Sequence, residues 1–61
     1  MRELKVTNRD EGGFDLVPMA EFLDANIDDV ETCESVKALN RGGQFWVGGG
    51  ASPCFIIERI S

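Results

Sequence analysis

Leu4, Lys5, Val6 and Thr7 alternate apolar with polar, the period of two that marks a half-buried strand. Arg9-Asp10-Glu11-Gly12-Gly13 follows and is turn chemistry, because glycine reaches positive φ at no steric cost. Phe14, Asp15, Leu16 and Val17 read as a second strand, with Phe14 and Leu16 on one face. The two segments predict a hairpin with a loop of about four or five residues.

The period then changes. Pro18 suits the first turn of a helix, where its missing N–H would have had no partner anyway. Met19, Phe22 and Leu23 recur at helical spacing and predict a short helix from 18 to about 25. Asn26 is expected to end it in a left-handed conformation, with Ile27 packing back over its last turn. Asp28 is the expected N-cap of a second helix, and Glu31 three residues on completes a capping box. That helix is expected over about 29–40, closed by Arg41-Gly42-Gly43. Its apolar positions, Val30, Cys33, Val36 and Leu39, step by three, so the stripe drifts around the cylinder.

Gln44-Phe45-Trp46-Val47 reads as a third strand and the segment from Cys54 to Ile60 as a fourth. Gly48-Gly49-Gly50-Ala51-Ser52-Pro53 is the loop between them. The fourth strand puts Cys54, Ile56 and Ile60 on one face and Phe55, Ile57 and Arg59 on the other. So apolar a segment suggests a central place in a sheet, or a partner over its second face. The predicted fold class is α+β in the order β-β-α-α-β-β. A small antiparallel sheet of three to four strands carries one or two short helices on one face. The alternative is one continuous helix over 18–40 and a β-β-α-β-β order.

The chain has 61 residues, one domain spanning 1–61. Its hydrophobic content of 43% is enough for a packed core, which argues against disorder despite a net charge of −5. The longest apolar run, Cys54-Phe55-Ile56-Ile57, is far short of the roughly 20 residues that cross a bilayer. The N-terminal residues lack the apolar stretch of a secretory signal, and the initial Met leads to the expectation of an unprocessed, cytoplasmic chain. Two cysteines, Cys33 and Cys54, are too few for a disulfide scaffold and are expected to be small buried hydrophobes.

Charge is the most distinctive property. Nine carboxylates lie between Asp10 and Glu34 with no Lys or Arg among them. The six bases, Arg2, Lys5, Arg9, Lys37, Arg41 and Arg59, all lie outside that stretch. One side of the molecule should be strongly negative, which argues against nucleic acid and for a protein partner with a basic or neutral surface.

Catalytic constellations are weak. With no His in the chain, a Cys or Ser nucleophile would need Lys or a carboxylate as its base. Cys33 has no basic neighbour in sequence, and Ser52 sits beside Pro53 without a local partner. The glycines at 48–50 precede Pro53 and a strand, whereas phosphate-cradling loops lead into a helix. Asp24, Asp28, Asp29 and Glu31 lack the alternating ligand spacing and glycine of a calcium loop. No catalytic residue, cofactor site or metal site is expected.

Trp46 lies opposite Phe45 and Val47 on its strand. If the helices cover the latter two, Trp46 faces outward with one row of the fourth strand, as an interface anchor would. The expected function is a small acidic non-enzymatic protein-binding module, an accessory regulator or a mobile-element-encoded inhibitor of a larger protein. Asp24, Asp28, Asp29, Glu31 and Glu34 would steer the partner and Trp46 would anchor it. Two alternatives stand beside it. One is a winged helix-turn-helix DNA binder, with helix 29–40 in the major groove. The other is a structural subunit of a homo-oligomer, paired through the Ile56/Ile57 strand.

Overall fold

The computed structural model describes residues 2–48 and 51–61. Its elements are β1 (Glu3–Asn8), β2 (Phe14–Pro18), α1 (Met19–Ala25), α2 (Val30–Lys37), β3 (Gln44–Val47) and β4 (Phe55–Arg59). The predicted β-β-α-α-β-β order holds. The four strands form one antiparallel sheet in the order β2-β1-β4-β3.

The sheet's order follows from its two hairpins. β1 and β2 are joined by residues 9–13, and the Asn8 N–H donates to the Gly13 carbonyl at 3.0 Å. The Asn8 side chain then organises the turn: its Oδ1 accepts from the N–H groups of Asp10 and Glu11 at 3.0 and 3.1 Å. β3 and β4 form the second hairpin, where the Cys54 N–H donates to the Val47 carbonyl at 2.9 Å. Gly48 makes that closure possible. Its φ is +115°, and a Cβ there would stand 2.6 Å from the Cys54 nitrogen. The predicted loop 48–53 falls partly on residues 49 and 50, which lie outside the described residues.

β4 pairs with β1 on one side and β3 on the other, the central position its apolar run predicts. With both its edges occupied, β4 has no free edge to hydrogen-bond to a second copy.

The helices cover one face of this sheet. Leu4, Met19, Val36 and Ile57 form the core, with Val6, Phe22, Leu23, Phe45 and Val47 packed around it. Leu4 and Val36 are fully buried. Both strand periodicity and helical periodicity therefore deliver residues to one interior layer.

The helix starts differ from the sequence expectations by about one residue each. Pro18 is not inside α1. It is the N-cap, at φ −58° and ψ 137°, still in β2 and paired with Glu3. Its fixed φ suits a strand end as well as a first turn, and the ladder to β1 decides the matter. The first free amide of α1, Met19 N–H, donates to the Arg2 carbonyl at 2.9 Å.

Asn26 ends α1 at φ −115°, not in the left-handed region, and Ile27 is 68% exposed instead of packed back over the helix. The side chain takes the role expected of the backbone. Asn26 Nδ2 and Asn26 N–H both donate to the Phe22 carbonyl, at 2.8 and 3.1 Å.

The N-cap of α2 is Asp29, not Asp28. Its Oδ1 accepts from the Thr32 N–H at 3.2 Å and its Oδ2 from the Thr32 hydroxyl at 2.8 Å. With Asp29 as the cap, Thr32 and not Glu31 takes the third helical position, so Glu31 is out of register for a capping box, and the Asp29 N–H is bonded instead to the Asn26 carbonyl at 2.9 Å. α2 stops at Lys37, short of the expected end near residue 40. Beyond it, β4 captures the chain: Arg59 Nη1 donates to the Leu39 carbonyl at 2.9 Å and the Gly42 N–H to the Arg59 carbonyl at 2.6 Å. A guanidinium at this end also opposes the negative pole of the helix.

Candidate functional site

The strands present two unlike faces. Leu4, Val6, Phe45, Val47 and Ile57 point at the helices. Alternation then leaves Lys5, Thr7, Phe14, Leu16, Gln44, Trp46, Ile56 and Glu58 on the face with no helix over it. Phe14, Leu16 and Trp46 are each 56% exposed there. Exposed apolar side chains thus share this face with Lys5, Thr7, Gln44 and Glu58, and such exposure on a small domain is the kind of feature that marks an interaction site.

The open face has its own internal order. Lys5 Nζ lies 4.5 Å from the centroid of the Phe14 ring, a cation–π contact. Trp46 Nε1 donates to Gln44 Oε1 at 3.3 Å, and Gln44 Nε2 donates to Glu58 Oε1 at 3.4 Å. Trp46 is therefore held by its neighbour two residues back, while much of its indole stays in solvent.

The helix layer is the acidic side. Asp24, Asp28, Asp29, Glu31 and Glu34 are all exposed. Among the described residues, no Lys or Arg forms an ion pair with any of them. A groove of about 480 Å³ runs between α1 and α2, floored by Ala20, Leu23, Ile27, Val30 and Cys33. Asp24, Glu34 and Lys37 form its rim. Val30, an expected apolar position of α2, is 62% exposed, because the drifting stripe gives only Cys33 and Val36 to the interior.

The six residues picked from sequence thus do not form one patch. The five carboxylates stand on the helix layer, and Trp46 stands on the opposite side of the sheet. Asp24 and Glu34 share the interhelical groove, while Asp29 belongs to the N-cap of α2 and lines a smaller pocket on its other flank. Phe14, Leu16 and Ile27 escaped the sequence reading as surface residues. The signal for the first two was present: they lie opposite Asp15 and Val17 on an outer strand, away from the face that Leu4 and Val6 bury.

Both cysteines are free thiols. Cys33 is buried, and its Sγ lies 3.1 Å from the Asn26 carbonyl, so it ties α2 to the end of α1. Cys54 is partly exposed, contrary to the buried role expected for it. The Asp10 carboxylate, first as a hydrogen-bonding partner for the neutral thiol and then through its charge, raises the Cys54 pKa above the ordinary 9.0. A thiol held in its neutral form is a poor nucleophile. Among the described residues, no group of three or more His, Cys, Asp or Glu could hold a metal ion, and no helix is long and apolar enough to cross a membrane.

No family model matches the chain, and no curated protein or solved structure is detectably similar to it.

Proposed function

We propose that this protein is a non-enzymatic protein-binding module whose acidic helix layer receives a basic, partly apolar segment of a larger protein. The observation that carries this reading is the groove between α1 and α2. Its floor is apolar, through Leu23, Ile27 and Val30, and its rim is acidic on balance, Asp24 and Glu34 against the single cation Lys37. An apolar floor with an acidic rim suits an amphipathic segment rich in Lys or Arg, the helix-in-groove mode of recognition. The rest of the carboxylates raise the encounter rate without touching the partner. Occlusion of a basic surface needs only shape and negative potential, which is how an accessory regulator or inhibitor of this size would act.

A winged-helix reading fits the same elements less well. A wing projects from its domain, whereas β3–β4 is built into the sheet with β4 at its centre. The first turn of α2 begins at Asp29 and carries Glu31, where phosphate contact calls for cations.

The test is an NMR titration of the isotope-labelled protein with an amphipathic Leu/Lys peptide, at low ionic strength. The expected result is shifts at Leu23, Ile27, Val30 and Cys33, abolished by Asp24→Lys with Glu34→Lys. Shifts confined to the open sheet face, or no shifts at millimolar peptide, would remove the groove from the account. Retardation of random duplex DNA at low salt would favour the nucleic-acid reading instead.

A further inference from the structure

The open sheet face is arranged in rows that the strand pairing fixes. Phe14 stands beside Thr7, Thr7 beside Ile56, and Ile56 beside Trp46. One pleat along, Leu16 stands beside Lys5, Lys5 beside Glu58, and Glu58 beside Gln44. The middle of the face lies between β1 and β4, the two central strands.

A two-fold axis parallel to the strands, through that middle, lays a second copy over the first with β1 above β4 and β2 above β3. Each row then falls on itself in reverse. Phe14 meets the second copy's Trp46 at both ends, Thr7 meets Ile56, and Lys5 meets Glu58. Two aromatic pairs and two opposite-charge pairs form at once, as an isologous contact demands. We infer that the open face is the self-association surface of this chain, and that its occupant is a second copy in this register.

Charge argues for a second copy. The protein carries a net charge of −5, and the longest acidic stretch runs through the helix layer. The open face holds Lys5 against Glu58, with Glu3 at its rim, so it is the less negative side of the sheet. Stacked through it, two copies keep their acidic helix layers on the far sides of the dimer, where repulsion between them is weakest. Aligned sheet packing at about 10 Å separation is the ordinary way to cover such a face.

Area sets the strength. Four strands spaced about 4.8 Å apart and about 17 Å long give a contact on the order of 400 Å² from each copy. That is about 800 Å² in all, below the roughly 1,200 Å² of a standard specific interface, so the contact is a weak, reversible one, and a dissociation constant on the order of 100 µM is expected of it. The Lys5–Glu58 pairs contribute register more than affinity. This inference goes beyond the partner-binding reading and uses the opposite face, so each survives the failure of the other.

The experiment is sedimentation of the full chain from about 10 µM to about 1 mM, a range that brackets that affinity, with the fluorescence of the single Trp followed in parallel. The expected result is a monomer–dimer equilibrium whose Trp46 emission shifts to the blue as the dimer forms. Lys5→Glu alone and Glu58→Lys alone should each dimerise more than tenfold more weakly, because like charges meet twice. An equimolar mixture of the two variants should recover association. In the mixed dimer the glutamate introduced in one chain faces the lysine introduced in the other, and the native Glu58 of the first faces the native Lys5 of the second. Recovery on mixing also shows that each variant folds. A monomer at 1 mM overturns the inference, as does a mixture no stronger than its parts.

Discussion

Asp29 and Thr32 close the first turn of α2 twice over. The Asp29 carboxylate accepts from the Thr32 N–H at 3.2 Å and from the Thr32 hydroxyl at 2.8 Å. Asp28, one residue earlier and equally good as a cap by composition, makes no such contact. Asp29→Ala should therefore cost about 1 kcal/mol, and Asp28→Ala should fall within about 0.5 kcal/mol of the parent. Thermal unfolding reads the difference as a drop of about 4–8 °C for Asp29→Ala alone. Equal melting temperatures for the two variants would place the cap elsewhere.

Gly48 stands at φ +115° with the Cys54 nitrogen 2.6 Å from where a Cβ would be. Gly48→Ala both strains the backbone and pushes against the hairpin closure from Cys54 N–H to the Val47 carbonyl. A loss of about 1–3 kcal/mol is expected in urea unfolding. By contrast, Gly12→Ala meets only its own positive φ, with nothing within 4 Å of the added carbon, and should cost less.

The Cys54 thiol gives a pH-dependent signature. Asp10 holds its pKa above the ordinary 9.0, so the neutral thiol is favoured in the folded protein. That contribution to stability is complete below pH 9.0 and is lost as pH rises through the higher folded value. Alkylation of Cys54 should accelerate only at high pH, and Asp10→Asn should move the whole profile to lower pH. Mass mapping separates this from Cys33, which is buried and should stay unmodified in the native state. An unchanged profile in Asp10→Asn would break the link between the two side chains.

The strands were the most legible part of the chain. Period-two alternation at Leu4–Thr7 and the apolar run at Phe55–Ile57 placed β1 and β4, and the run left β4 either central or covered by a partner on its second face. The interhelical break at residues 26–29 was visible in its polar residues. The caps were not fixed by sequence, because Asp28 and Asp29 are chemically alike, and only the threonine three residues after Asp29 selects between them. Asn8, the organiser of the first hairpin, was hidden by the two glycines that follow it, which already announce a turn.

The candidate site was legible only in part. Charge clustering in sequence predicted an acidic face, and the helix layer carries it. Trp46 was correctly read as opposite Phe45 and Val47 on its strand. The separation of Trp46 from the acids was not readable, because it depends on which sheet face the helices cover. Nor was the open face as a whole, since Phe14, Ile56 and Trp46 lie far apart in sequence and only the order β2-β1-β4-β3 aligns them.

The central claim is that the acidic helix layer draws in a basic partner and holds it between α1 and α2. Stopped-flow association of a fluorescent Leu/Lys amphipathic peptide measures this most directly, with the parent and the Asp24→Lys/Glu34→Lys variant compared at low and high salt. The account predicts association about tenfold slower for the variant at low ionic strength and a gap that largely closes at high ionic strength. Equal rates for the two proteins at low salt would contradict it.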